Sequence, residues 1–264
     1  MPASMHVTNQ SVGSKRVLIT GASGSLGGAL ARHLARSGVS MSLWGRDGPR
    51  LASVAQACES KGACVQQHLV DLTDLSGALA VLNLADEGDG IDLALLVAGQ
   101  GDICPEGLLV EPADQVARLG HINFVAPAAL AAALADRMAN RGSGRIVLVG
   151  SSAAFHALPF AAAYAGSKAG LAHFADALRL AVKDQGVSVT LVSPGFLETT
   201  TARRADRARP FALSFEQAAA RIIAAAQRGE AHRVFPWQFA AFRWLGRLLP
   251  GPVLDRLLQA LPRS

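Results

Sequence analysis

The sequence predicts an α/β fold: a doubly wound parallel sheet in three layers, followed by short C-terminal amphipathic helices. Three observations carry this reading. Strand-like runs alternate with helix-like stretches along the chain. The strand-like runs are apolar without alternation, which requires a sheet covered on both faces. Alanine and leucine are abundant while aromatic residues make up only 5% of the 264, which suits helices packed on a sheet rather than a β-sandwich.

Taken in order, Arg16 to Thr20 reads as a buried strand, and Leu26 to Ser37 as an amphipathic helix stopped by Gly38. Val39 to Trp44 is the second strand. A helix from about Pro49 to Lys61 leads to a strand at Cys64 to Val70. Asp74 to Leu84 reads as helix and Leu93 to Ala98 as a continuous apolar strand. Arg145 to Gly150 and Val187 to Val192 are further strands, each preceded by a long Ala-rich helical stretch. Strands separated by helices imply right-handed crossovers, with ligands at the carboxyl ends of the strands. No linker or repeat is visible, so residues 15–235 read as one catalytic domain. Residues 1–14 read as a flexible polar leader, and residues 236–264 as an amphipathic extension.

Composition excludes several classes. Half the residues are hydrophobic and 17% are charged, which supports a large core and argues against disorder. Cys58, Cys64 and Cys104 lack metal-ligand spacing and read as free thiols of a reducing, cytoplasmic compartment. Seven histidines without close pairs give no metal site. No stretch reads as long and apolar enough to span a bilayer, since Phe124 to Ala135 is short and contains Pro127. The net charge of +5 is concentrated at the end, where eleven arginines face four carboxylates from Thr201 onward. That basic segment lacks the interleaved aromatics of a nucleic-acid module, so no nucleic-acid partner is expected.

Two motifs carry chemistry. The first strand runs into Thr20-Gly-Ala-Ser-Gly-Ser-Leu-Gly27 and then a helix. Gly21 allows a tight turn, Gly24 and Gly27 allow close backbone approach, and the helix N-terminus offers amides to a pyrophosphate. At the end of the second strand, Trp44-Gly-Arg46 holds no acid before Asp47. A carboxylate there would accept from a ribose hydroxyl. Arg46 instead suits a 2′-phosphate, favouring NADP(H) over NAD(H), unless it is an ordinary surface arginine. Farther on, Tyr164-Ala-Gly-Ser-Lys168 follows Ser151 by thirteen residues. On a helix Tyr164 and Lys168 share a face, and an ammonium beside a phenol is expected to lower the phenol's pKa.

These motifs, with Ala98-Gly99, Asn123 and Pro194-Gly195, resemble the short-chain dehydrogenases/reductases in order and spacing from about Lys15 to Thr201. The resemblance implies a Rossmann fold and hydride transfer between nicotinamide and a carbonyl or secondary alcohol. It implies Tyr164 as general acid or base, Ser151 (or its neighbour Ser152) polarising the substrate oxygen, Lys168 holding the nicotinamide ribose, and Asn123 supporting a proton relay. It further implies cofactor contacts from Gly21, Ser23, Gly24, Ser25, Leu26, Gly27, Asp71, Leu72, Ala98 and Gly99, and from Pro194, Gly195 and Thr199 around the nicotinamide. Homodimers or homotetramers through the helices containing Asn123 to Asn140 and Tyr164 to Gln185 follow from the same resemblance.

The sequence also departs from the family. Ser25 stands where the shorter branch has glycine, a spacing closer to the longer, sugar-nucleotide-modifying branch. The Asn-Asn-Ala-Gly pattern is replaced by Leu96-Val-Ala-Gly99, which removes side-chain amides that tie the central strand. A sugar-nucleotide epimerase or dehydratase and a catalytically silent dinucleotide-binding scaffold therefore stand as alternatives. Leu158-Pro-Phe160 and Ala161 suggest an apolar substrate wall, with His156 nearby. Arg203, Arg204, Arg207 and Arg209 form either a solvated basic face or a site for an anionic substrate. The tail, from Gln238 to Leu249 and Val253 to Leu261, packs on the domain, a partner subunit or a membrane surface.

Overall fold

The computed structural model describes residues 16–88, 90–198, 211–241 and 249–260. The elements run β1 Arg16–Thr20, α1 Ser25–Leu34, β2 Ser40–Gly45, α2 Gly48–Glu59, β3 Cys64–Leu69, α3 Leu75–Ala85 and β4 Leu93–Leu96. They continue α4 Ala113–Gly120, α5 Ala126–Asn140, β5 Gly144–Val149, α6 Ala162–Ala181, β6 Val187–Pro194, α7 Phe215–Arg228, β7 His232–Phe235 and α8 Gly251–Gln259. A π turn, His121–Val125, joins α4 to α5, and a 3-10 turn, Ser152–Phe155, follows β5.

The strands form one seven-stranded sheet in the order β3-β2-β1-β4-β5-β6-β7. Every pairing is parallel. Successive residues of each strand point to opposite faces, and both faces are covered. Val17, Ile19, Leu93, Leu95, Val147 and Val149 pack with α1, α2 and α7. Leu18, Ala94, Leu96, Ile146 and Leu148 pack with α3, α5 and α6. The three-layer, doubly wound arrangement is the predicted one. The chain order reverses between β1 and β4, so a crevice opens at their carboxyl ends.

Local chemistry sets the helix starts. Asp47 caps α2 by accepting from the Arg50 amide at 3.0 Å, and Asp74 caps α3 by accepting from the Gly77 amide at 3.0 Å. A reciprocal capping box of Ser214 and Gln217 opens α7, and Gly229 at φ +62° ends it. β7, α4 and α7 add to the elements expected from sequence.

One expectation needs correction. The run Ala113–Asn140 is a continuous helical stretch of 28 residues that is, by length and composition, apolar enough to cross a membrane. Pro127 does not break it, because it lies just past the π turn His121–Val125, where the ordinary α-helical ladder is already interrupted. The apolar composition has a different cause. Over half of its most apolar window, 56%, is buried inside the protein, with Leu130, Leu134 and Met138 against the sheet. The leader Met1 to Ser14, Thr199, the four arginines from Arg203 to Arg209, and part of the tail helix from Gln238 to Leu249 lie outside the described residues.

Candidate active site

A cavity of about 280 Å³ lies over the carboxyl ends of β1, β2 and β4. Gly21, Ser23, Gly24, Ser25, Leu26, Gly27, Arg46, Asp71, Leu72, Ala98 and Gly99, all predicted cofactor contacts, line it. Sequence reasoning missed Trp44, Val97, Gln100 and Ile122, which also line it and carry no motif of their own. Its floor depends on close backbone approach. Gly21 has φ +70°, and a Cβ on it would lie 2.9 Å from the Ala98 Cα. A Cβ on Gly27 would lie 2.7 Å from the Gly21 carbonyl carbon, so α1 packs on the loop only through glycine. The N-terminus of α1 has no side-chain cap at Gly24 and no acid in its first turn. Its amides are therefore open to an anion.

The segment after β4 is tied down by Thr20 and Asn123. Val97 and Ala98 donate their amides to the Thr20 hydroxyl at 3.0 and 3.2 Å. Asn123, fully buried in the π turn, donates to the Gln100 carbonyl at 2.9 Å and accepts the Gln100 amide at 2.8 Å. Asp71 sits at the cavity edge with its carboxyl held below the usual range. The chief cause is the Thr73 amide, which donates to it at 2.9 Å; the Thr73 hydroxyl and the Arg46 guanidinium add to the effect.

Ser151, Tyr164 and Lys168 meet beside this cavity. Ser151 follows β5 and caps the 3-10 turn, its hydroxyl accepting from the Ala153 amide at 3.1 Å. The same side chain hydrogen-bonds the Tyr164 phenol. Tyr164 lies in the first turn of α6, and Lys168 follows one turn on. Lys168 is only 4% exposed and donates to the Val149 carbonyl at 2.9 Å. A Cβ on Gly99 would fall 3.1 Å from both the Lys168 Nζ and the Asn123 Oδ1, so these groups converge behind the cavity wall.

The expected lowering of the tyrosine pKa is not what the structure shows. Burial pushes the Tyr164 phenol up, and the Ser151 hydrogen bond offsets only part of this. Burial also lowers the Lys168 ammonium to about 8. Desolvation favours the neutral form of each group, and the lysine's hydrogen bond is to a carbonyl rather than the phenol.

Pro194 and Gly195 do not line the cavity. They close β6, where the Gly195 amide donates to the Phe235 carbonyl at 2.8 Å. Gly195 has no Cβ, and the Phe239 ring occupies the space one would need; Phe239 also meets Phe196 edge-on at 5.6 Å. Phe155, Leu158 and Phe160 are half-buried between Ser151 and Tyr164, and burial lowers the pKa of His156 beside them. Among the described residues no cluster of histidine, cysteine and acidic side chains could hold a metal ion.

A family model described as short chain dehydrogenase matches residues 15–210. An uncharacterized oxidoreductase of Myxococcus xanthus is 32% identical over 248 residues, covering 94% of this chain and 97% of that one. Some curated relatives are longer: the chain spans 62% of the Danio rerio dehydrogenase/reductase SDR family member 7B, which is 32% identical over 193 residues. Among solved structures, the bulky-bulky ketone specific alcohol dehydrogenase from Comamonas testosteroni superposes with a TM-score of 0.77 at 25% identity, covering 95% of this chain and 96% of that one. A short-chain dehydrogenase from Sphingobium yanoikuyae in complex with NADPH gives a TM-score of 0.77 at 27% identity, with 94% and 97% covered. With the seven-stranded parallel sheet and the glycine-rich crevice already described, these matches establish that the chain belongs to the short-chain dehydrogenase/reductase family of oxidoreductases.

Proposed function

We propose that the protein is an NADP(H)-dependent oxidoreductase that transfers hydride between nicotinamide and an apolar ketone or secondary alcohol. The observation that carries the cofactor choice is Arg46, on the cavity wall where β2 ends. Its neighbour Asp47 is engaged in capping α2 and pairing with the Arg50 guanidinium at 3.2 Å. This supports Arg46, rather than an acid, as the partner of a 2′-phosphate. The NADPH complex of the Sphingobium relative supports the same choice.

The residues present fit a dinucleotide. Gly21, Gly24 and Gly27 admit its backbone-close pyrophosphate, the α1 amides meet its charge, and Asp71 and Leu72 flank the adenine side. The bound cofactor supplies the hydride chemistry. The chain supplies the rest. Ser151 donates to the substrate oxygen and stabilises its developing charge. Tyr164, kept protonated by burial, delivers the proton in reduction and takes it back in oxidation. Lys168 holds the ribose and Asn123 steadies the segment after β4. The half-buried Phe155, Leu158 and Phe160 favour an apolar substrate, as does the Comamonas enzyme's specificity for bulky-bulky ketones.

Residues 15–235 act as the catalytic unit in this reading and 236–264 as an extension. The exposed Val116, Val125 and Leu180, on α4, the π turn and α6, favour assembly through that layer into a cytoplasmic homodimer or homotetramer. Helix α8 buries none of its residues, which keeps a peripheral membrane or partner contact in view.

Fluorescence titration with NADPH and with NADH tests the reading. NADPH should bind more tightly, and Arg46→Ala should weaken it by about 10–100-fold, the value of one charge-assisted contact, while leaving NADH little changed. Turnover of 2-decanone and propiophenone with NADPH completes the test. Saturable binding with no turnover of any substrate would favour the silent dinucleotide-binding scaffold, and no saturable binding of either nucleotide would refute the cofactor site. Binding without ketone turnover, but with conversion of a nucleotide sugar, would favour the epimerase or dehydratase.

A further inference from the structure

Helix α6 starts at Ala162 in the sequence Phe160-Ala-Ala-Ala-Tyr164, and nothing in it can cap that end. Its N-cap is Ala161, with no side-chain cap of its own. The intrahelical ladder opens with the Ala165 amide on the Ala161 carbonyl at 2.9 Å. Tyr164 therefore lies in the turn most prone to fray, and the phenol is held no better than that turn.

The missing cap comes from a distant segment. The Ala163 amide donates to the Glu111 Oε2 at 2.9 Å, across 52 positions of sequence. The other carboxylate oxygen accepts from the Gln115 amide nitrogen at 3.4 Å, and the same nitrogen donates to the Ile103 carbonyl at 3.0 Å. Gln115 is buried, and it belongs to α4, whose π-turn continuation holds Asn123. A second clamp lies one turn earlier, where the Cys104 amide donates to the Phe160 carbonyl at 2.7 Å. The segment between β4 and α4 is thus tied at one end to Asn123 through Gln100 and at the other to the start of the tyrosine helix. A carboxylate at this place also complements the positive end of the helix.

We propose that Glu111 is a positioning residue: by capping α6 from outside, it fixes the turn that presents Tyr164 toward Ser151 and links it to the Asn123 side of the site. This rests on the oxidoreductase reading above. Glu111 does not line the cofactor cavity. Its loss should therefore act on the proton-transfer geometry and spare nucleotide binding.

The test uses the full-length protein with Glu111→Ala and Glu111→Gln, assayed well below each variant's Tm. The probes are NADPH with 2-decanone or propiophenone, and amide hydrogen exchange over residues 160–168. Glu111→Ala should lower kcat about 10-fold or more while the NADPH Kd stays within about 2-fold, because misplaced catalytic groups cost rate rather than cofactor affinity. Glu111→Gln keeps an acceptor oxygen and should recover kcat to within about 3-fold of wild type. Exchange at the start of α6 should speed up in the alanine variant and stay near wild type in the glutamine variant. A folded alanine variant with wild-type kcat, or a glutamine variant as impaired as alanine, overturns the proposal. If the wild-type protein turns over neither ketone, the function reading fails instead, and exchange at residues 160–168 alone decides the anchoring by Glu111.

Discussion

Lys168 offers the most direct test of how burial tunes the site. Its ammonium is almost fully buried, and its pKa falls from 10.5 to about 8. Between those values the unfolded chain holds a proton on this lysine that the folded chain has released, so folding stability rises with pH across that window. The displacement makes the charged lysine cost roughly 3 kcal/mol at neutral pH. At about pH 7 nearly all of that cost is present, and at about pH 9.5 about 2 kcal/mol of it is relieved. Lys168→Met removes the titration while keeping the apolar stem. Urea unfolding of both proteins at the two pH values isolates the effect, because groups common to both cancel in the difference. The Val149 carbonyl loses its donor in the variant. That shifts the difference by a nearly constant amount and leaves its pH dependence intact. Wild type should gain about 2 kcal/mol on the variant as pH rises. A difference that stays flat within about 0.5 kcal/mol would mean that Lys168 titrates as in water, and the desolvation argument would fail. Turnover of the variant should fall at least about 100-fold at either pH if Lys168 holds the ribose and supports Tyr164.

Two further outcomes follow from the floor of the cavity. Thr20→Val keeps the shape but leaves the Val97 and Ala98 amides without their acceptor, so denaturation midpoints should show a loss of about 2 kcal/mol or more; an unchanged midpoint would mean that these amides find other partners. Gly27→Ala drives a methyl into the Gly21 backbone, which cannot move as a flexible side chain can. It should cost about 1–3 kcal/mol in stability and abolish NADPH binding in the same titration, and wild-type binding would show that the helix can move away from the loop.

The fold was legible because the central strands of a doubly covered sheet, β1, β4 and β5, are apolar at nearly every position. Val17 and Ile19 serve one helical layer and Leu18 the other, so the run shows as an uninterrupted block and needs no periodicity to be recognised. Edge strand β7 was not legible for the converse reason: His232-Arg-Val-Phe is short and half polar. Helix α7 had a full signature, Ser214 and Gln217 at capping-box spacing and Gly229 at the end, and a search for helix starts would have found it. The site divides the same way. The glycine loop and the Tyr164/Lys168 pair depend on neighbours within one turn of sequence. The Thr20 bond to Val97, the Asn123 bonds to Gln100 and the Glu111 bond to Ala163 join segments between 23 and 77 positions apart, and no local pattern announces them.

The tyrosine shows why spacing alone misjudged the electrostatics. An i, i+4 lysine shares a helix face with the tyrosine whatever surrounds them, and that proximity suggests a stabilised phenolate. The surroundings decide otherwise. Lys168 is buried and Tyr164 half-buried, so desolvation decides the shift of each, and the Lys168 ammonium is directed to the Val149 carbonyl. A protonated phenol beside the Ser151 hydroxyl is the form needed to protonate the carbonyl oxygen as hydride adds to its carbon. Burial therefore favours the phenol form of Tyr164, the proton donor of the proposed reduction. Its rate should depend on the neutral phenol and hold up through neutral pH, falling only as Tyr164 begins to ionise on the alkaline side.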